Sequence, residues 1–332
     1  AIEPPRQQLL RRLNTLPDGF TFLVEMRSDV LRLKKDEPRL EILDKDLKTL
    51  LEYWFDVNLL EFERITWDSP ASLLEKLMEY EDVHEISDWQ DLKNRLDKDR
   101  RCYALTHPKM PGEPLIFVEI ALTREISGNI ETLLNPSAPV LEPEKTNTAV
   151  FYSISNTRKG LRGVSFGSFL LKQVIDDLRR DLPNLTRFVT LSPVPYFRSW
   201  LKQKLDDDPD TLDQFLENDQ VFSEFEEAVR SPNRERLKPF RDVLLKIVVS
   251  YLVDKRRENG FPLDPVARFH LRNGARLEQI NWMANSTDRG LKQSLGIMVN
   301  YRYHEDYLEE NHQRYMTDQE VVCSPDVEKF SP

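Results

Sequence analysis

Apolar residues recur at steps of three and four through Leu40, Leu43, Leu47, Leu50, Leu51 and Trp54. That spacing lines one face of an amphipathic helix. Residues 7–16 form a shorter stretch of the same kind. The pattern breaks across residues 55–67, which predicts a domain boundary there. Ser69-Pro70 then opens a helix, with Ser as the N-cap and Pro at the first helical position. Residues 101–106 and 115–122 read as strands on either side of the Pro111-Gly112 turn. Residues 135–147, rich in Pro, Glu and Thr, read as a surface loop. Residues 149–154 (AVFYSI) predict a strand and 155–163 a polar loop. A helix follows over 166–180, then a strand over 187–191 that ends at Ser192-Pro193. Residues 197–257 look helical and acidic, with one long helix over 234–256. Residues 264–274 carry clear punctuation: Asp264 as N-cap, Pro265 at the first position and Gly274 just past the end. A strand over 275–282 completes the pattern.

Composition narrows what such a chain does. Its 332 residues are 39% hydrophobic and 31% charged, an ordinary globular balance. With 47 basic against 57 acidic residues the net charge is −10, which argues against nucleic acid or a membrane as partner. Two cysteines make no disulfide framework, and the five histidines show no zinc-site spacing. No apolar run reaches the roughly 18 residues of a membrane helix. There is no signal-peptide pattern, and Phe330-Ser331-Pro332 is not a peroxisomal address.

The segment Arg162-Gly163-Val164-Ser165-Phe166-Gly167 carries the candidate chemistry, and it has two readings. Gly163–Gly167 fits G-x-S-x-G, the nucleophile elbow of α/β-hydrolases, with Ser165 as nucleophile. An elbow needs a sharp strand-to-helix turn, yet nine loop residues, among them Arg158, Lys159 and Arg162, precede it. The same string resembles the R/Q-x-x-G-x-G/A loop with which GNAT-type acetyltransferases cradle the pyrophosphate of coenzyme A. Glycines there let backbone approach the ligand, and a helix N-terminus supplies free N–H groups and a favourable dipole for an anion. Three cations beside the glycines favour this second reading. Likewise Phe269–Gly274 (FHLRNG) resembles the F-Y-x-x-x-G segment of the last GNAT helix, with His270 in place of the proton-donating Tyr. An imidazole titrating near neutrality would suit proton transfer.

Six segments in order then resemble the malonyl-CoA decarboxylase family: AVFYSIS at 149–155, the 160–167 loop, TLSPVP at 190–195, FHLRNGA at 269–275, INWMA at 280–284 and NYRY at 300–303. The resemblance implies an α/β (α+β) fold: a GNAT-like acyl-CoA-binding catalytic domain, with a mixed sheet and flanking helices, over 58–332. Residues 1–57 would be part of an N-terminal helical domain. It implies decarboxylation of malonyl-CoA to acetyl-CoA and CO2, with no cofactor beyond the coenzyme A of the substrate. It places catalytic residues at Ser192, His270 and Tyr303, and substrate binding at Arg162, Gly163, Val164, Ser165, Phe166, Gly167 and Ser168. Some relatives carry Glu where this chain has Ser165. The family implies a homo-oligomer, a tetramer. The expected compartment is the cytoplasm, with the mitochondrial matrix as alternative. An acyl-CoA-dependent acyltransferase and a non-catalytic coenzyme-A-binding protein are the competing functions.

Overall fold

A computed structural model describes residues 4–55, 57–164, 166–216 and 219–331. Three helices come first: Pro5–Leu13 (α1), Gly19–Leu33 (α2) and Leu40–Trp54 (α3). The periodicity of α3 delivers its expected face. Leu47 and Leu50 pack with Leu10, Leu23 and Val30, and Leu43 and Trp54 lie against the same cluster. Burying each such side chain stabilises by about 1.5–3 kcal/mol. The sequence reading missed α2, whose apolar residues bury between α1 and α3. Glu61–Ile65 (β1) follows, then Ala71–Tyr80 (α4), Trp89–Arg95 (α5), Arg100–Thr106 (β2) and Ile116–Thr123 (β3). Ser69 does not cap α4: Pro70 holds the cap position, and the Ser69 hydroxyl accepts from the Thr66 N–H instead.

Ile130–Leu133 (α6) precedes Thr148–Asn156 (β4), the expected strand extended at both ends. Gly167–Asp181 (α7), Arg187–Thr190 (β5) and the short Ser192–Pro193 (β6) complete the strand–loop–helix–strand unit. Then come Phe197–Asp207 (α8), Asp219–Arg230 (α9), Arg234–Leu237 (α10) and Arg241–Val253 (α11). The single helix expected over 234–256 is therefore broken. Pro239 lies in a 3-10 turn between α10 and α11, since its ring removes an N–H and clashes with the preceding turn. Pro265–Arg272 (α12), Arg276–Asn281 (β7), Asp288–Ser294 (α13), Met298–Tyr303 (β8), Leu308–Asp318 (α14) and Pro325–Glu328 (α15) end the chain.

The chain divides into two compact units, Ala1–Ile120 with Ser153–Pro183, and Ala121–Tyr152 with Asn184–Pro332. In the first, β1 pairs antiparallel with β2, Glu61 opposite Thr106. The Glu81 carboxylate there accepts the hydroxyls of Ser153 and Ser155 and the N–H groups of Val83 and His84. In the second unit the sheet is mixed: β4 and β5 are parallel, whereas β5, β6 and β7 all pair antiparallel with β8. Ala121, Val150, Val189, Leu191 and Met298 share its core. Mixed α/β architecture with flanking helices is thus what the sequence led one to expect.

Candidate active site

Ser192, His270 and Tyr303 come together in the second unit. Ser192 Oγ lies 3.2 Å from His270 Nε2, and the Tyr303 hydroxyl 2.7 Å from Nδ1. All three are buried. Strand pairing explains the convergence. Phe188 stands opposite Tyr303 and Ser192 opposite Val299, so β8 runs beside both β5 and β6. Tyr301 and Tyr303 share a face by the two-residue period of a strand, as do Thr190 and Ser192. α12 brings His270 to that face. The ring stacks on Tyr301, centroids 4.7 Å apart and 24° between planes.

The punctuation of α12 works as expected. Asp264 Oδ1 accepts the Ala267 N–H at 2.7 Å. Gly274 has φ +79°, and a Cβ there would lie 2.1 Å from the Leu308 carbonyl oxygen. Only glycine fits that turn.

Electrostatics correct one expectation. Burial alone pushes His270 down to about 3, so the imidazole is neutral at physiological pH rather than poised near it. Burial likewise raises the Tyr303 phenol. A charged form in this dry setting would have to give up its hydration.

Polar residues that the motifs contained but the sequence reading gave no role surround the trio. Thr190 Oγ1 accepts the Ser192 hydroxyl at 2.8 Å and the Tyr301 N–H at 3.1 Å. Asn300 Nδ2 donates to the Thr190 carbonyl at 2.6 Å and to the Ser127 carbonyl at 2.9 Å. Asn281 Nδ2 donates to Asn300 Oδ1 at 2.6 Å. The available signal was two asparagines at strand positions whose neighbours are apolar or aromatic.

The 162–168 segment belongs to the first unit. β4 ends at Asn156 and α7 begins at Gly167, with a 3-10 turn over Lys159–Leu161 between them. That distance rules out a strand–turn–helix elbow. Gly163 sits at φ +84°, and Arg162, Gly163 and Ser168 are exposed. Val164 is half-buried, while Phe166 and Gly167 are buried. Phe166 meets the Phe55 ring edge-on at 5.6 Å. Ser165 lies outside the described residues. Among the described residues no side chain caps the first turn of α7, which leaves helix N–H groups for a ligand.

Of the three expected cations, Arg158 is committed. It ion-pairs with Glu113, which also holds Lys76, and lies 5.5 Å over the Tyr80 ring. Arg162 and Lys159 form no ion pair among the described residues. Two cations from the helical segment were not foreseen. Lys48 lies beside Gly163, its Cε 3.5 Å from where a Cβ would stand. Buried Arg27 joins Asp44 at 2.9 Å to the Gly160 carbonyl at 2.6 Å. Gly160 itself presses on α2, since a Cβ there would lie 1.8 Å from the Val24 carbonyl oxygen.

Among the described residues no group of three or more His, Cys, Asp or Glu could hold a metal ion, and no helix is long and apolar enough to cross a membrane.

Two family models together match nearly the whole chain. The malonyl-CoA decarboxylase C-terminal domain matches residues 58–331 and the malonyl-CoA decarboxylase N-terminal domain residues 1–55. The mitochondrial malonyl-CoA decarboxylase of Anser anser anser is 36% identical over 352 residues, covering 99% of this chain and 70% of that protein. The crystal structure of malonyl-CoA decarboxylase from Rhodopseudomonas palustris superimposes with a TM-score of 0.91 at 44% identity, over 99% of this chain and 80% of that one. The enzyme from Agrobacterium vitis gives 0.91 at 42% identity, with the same coverage.

Proposed function

The chain belongs to the malonyl-CoA decarboxylase family, and we propose that it converts malonyl-CoA to acetyl-CoA and CO2 with His270 as general acid and Ser192 as its polar, proton-accepting partner. The observation that carries this reading is the buried contact of His270 with Ser192 on one ring nitrogen and Tyr303 on the other.

Malonyl-CoA holds its carboxylate β to a thioester carbonyl. When the bond to CO2 breaks, the electron pair passes from the α-carbon into that carbonyl as an enolate. The thioester is its own electron sink, so the step calls for neither a metal nor an organic cofactor. What the protein supplies is a dry, preorganised polar site and a proton for the α-carbon. A neutral imidazole serves, because a thioester enolate is basic enough to take a proton from it. His270 recovers its proton from the Nδ1 side, where Tyr303 stands, and ultimately from solvent. One proton is consumed for each CO2 released.

Residues 162–168 are the proposed cradle for coenzyme A. Support comes from the left-handed turn at Gly163 and, among the described residues, from an α7 start that no side chain caps and from Arg162 and Lys159, which form no ion pair. Backbone N–H groups would face the pyrophosphate, with the two side chains neutralising it.

Incubation with malonyl-CoA alone tests the reading. A decarboxylase releases CO2 and acetyl-CoA in equal amounts with no acceptor present. Acyl transfer that appears only on addition of an amine, or binding without turnover, would overturn it.

A further inference from the structure

Around Ser192 the hydrogen bonds have a direction. The hydroxyl carries one hydrogen, and that hydrogen is given to Thr190 Oγ1 at 2.8 Å. Nothing remains on Ser192 to donate to His270. The 3.2 Å contact between Oγ and Nε2 is therefore a hydrogen bond only if Nε2 bears the hydrogen. A neutral imidazole carries one N–H, so Nδ1 is bare. It can then only accept, and the group 2.7 Å away is a phenol able to donate.

The chain thus runs one way, from the Tyr303 hydroxyl to Nδ1, from Nε2–H to Ser192 Oγ, and from the Ser192 hydroxyl to Thr190. We propose that Thr190 is a positioning residue: by accepting the Ser192 hydrogen it holds His270 as the Nε2–H tautomer, with the transferable proton on the Ser192 side. This rests on the decarboxylase reading above for its functional meaning, though not for its geometry.

Local structure fixes Thr190 in this role. Between the pairs Val189–Arg302 and Ser192–Val299 the ladder to β8 loses its ordinary backbone bonds. The Tyr301 N–H goes to the Thr190 side chain, and the Thr190 carbonyl is taken by Asn300 Nδ2. Thr190 is fully buried and held from both its hydroxyl and its carbonyl, so its Oγ1 cannot rotate away. Asn281, bonded to Asn300, backs the arrangement from β7. Gly128 lets Asn281 approach, since a Cβ on it would lie 2.4 Å from Asn281 Oδ1. Without the Thr190 acceptor, Ser192 would turn its hydrogen to Nε2. The hydrogen on the ring would then move to Nδ1 and face Tyr303, leaving Nε2 without a proton of its own to transfer.

The test is the tautomer itself, read by 15N NMR of histidine-labelled protein, with the His270 signal assigned by its loss in His270→Gln. The wild-type protein should show Nε2 protonated and Nδ1 bare. Thr190→Val should shift His270 toward the Nδ1–H form and lower kcat roughly ten- to a hundredfold, with KM for malonyl-CoA little changed. Thr190→Ser should restore both signals. A wild-type His270 protonated at Nδ1, or an unchanged tautomer in Thr190→Val, overturns the role of Thr190 while leaving decarboxylation untouched. A wild-type spectrum with Nδ1 protonated overturns it even if Thr190→Val does not fold. Absence of CO2 release from malonyl-CoA would instead overturn the function and leave the tautomer standing.

Discussion

Tyr303 and His270 are 33 positions apart in the chain, yet the phenolic oxygen lies 2.7 Å from Nδ1, with both side chains buried. In so dry a setting the hydroxyl is the imidazole's partner on that nitrogen. Tyr303→Phe removes it and leaves a buried ring nitrogen unsatisfied. The expected loss is about 1.5–3 kcal/mol of transition-state stabilisation, or roughly ten- to a hundredfold in kcat. Steady-state kinetics with malonyl-CoA check it, and an unchanged kcat would remove Tyr303 from the proton path.

His270→Ala should cost more, about 10²- to 10⁴-fold in kcat, as removal of a general acid does. Its effect on coenzyme A affinity should be small, because the proposed cradle lies at residues 162–168. Calorimetric titration with coenzyme A beside turnover assays separates the two effects.

The buried imidazole also makes stability depend on pH. His270 is held at about 3 against an ordinary 6.5, so unfolding frees it to bind a proton at mildly acidic pH. Its contribution is fully present above about pH 6.5. It then falls by about 1.4 kcal/mol per pH unit as the pH drops toward 3. Urea unfolding of the wild type and His270→Gln at pH 7.5, 6 and 5 should show their stability difference shifting against the wild type as the pH falls. A constant difference would mean that His270 is not held neutral.

Asp264 caps α12 through one carboxylate oxygen, while Oδ2 is buried with no hydrogen-bond partner among the described residues, and burial raises the carboxyl pKa to about 6. The two functions of this side chain can be separated. Asp264→Ala loses the cap and should cost about 0.5–2 kcal/mol. Asp264→Asn keeps an acceptor for the Ala267 N–H and removes the buried charge, so at pH 7.5 its Tm should equal or exceed the wild type's. A lower Tm for the Asn variant would show that the ionised carboxylate is favourable where it lies.

Gly160→Ala would drive a Cβ into the Val24 carbonyl oxygen. Relief requires the 3-10 turn to move off α2, at about 1–3 kcal/mol as overpacking typically costs. Arg27, which donates to the Gly160 carbonyl at 2.6 Å, would lose that partner. Weakened coenzyme A binding together with a lower Tm is the expected result. Unchanged binding would dissociate the turn from the cradle.

Much of this was legible locally. β4, α7 and α12 follow from a short apolar run, helical periodicity and capping residues in their own segments, and short-range sterics enforce such signals. Other features were present locally but were not used. Pro239 splits the helix expected over 234–256, and α2 carries an apolar face of its own. The committed state of Arg158 was not readable, because Glu113 stands 45 positions away.

Residue types and their order supplied the candidates: a histidine on a short capped helix, a serine at a strand end, a tyrosine on a late strand and glycines before a helix. Their working state came from folding. Ser192 and His270 are 78 positions apart, and no local pattern says that they touch. Nor does any local pattern say that water is excluded around the imidazole, which is what makes it neutral, or that Thr190 takes the serine hydrogen. Burial and hydrogen-bond direction are properties of an assembled environment. Strands β5, β6 and β8 and helix α12 create them together, from segments that specify only their own backbone shape.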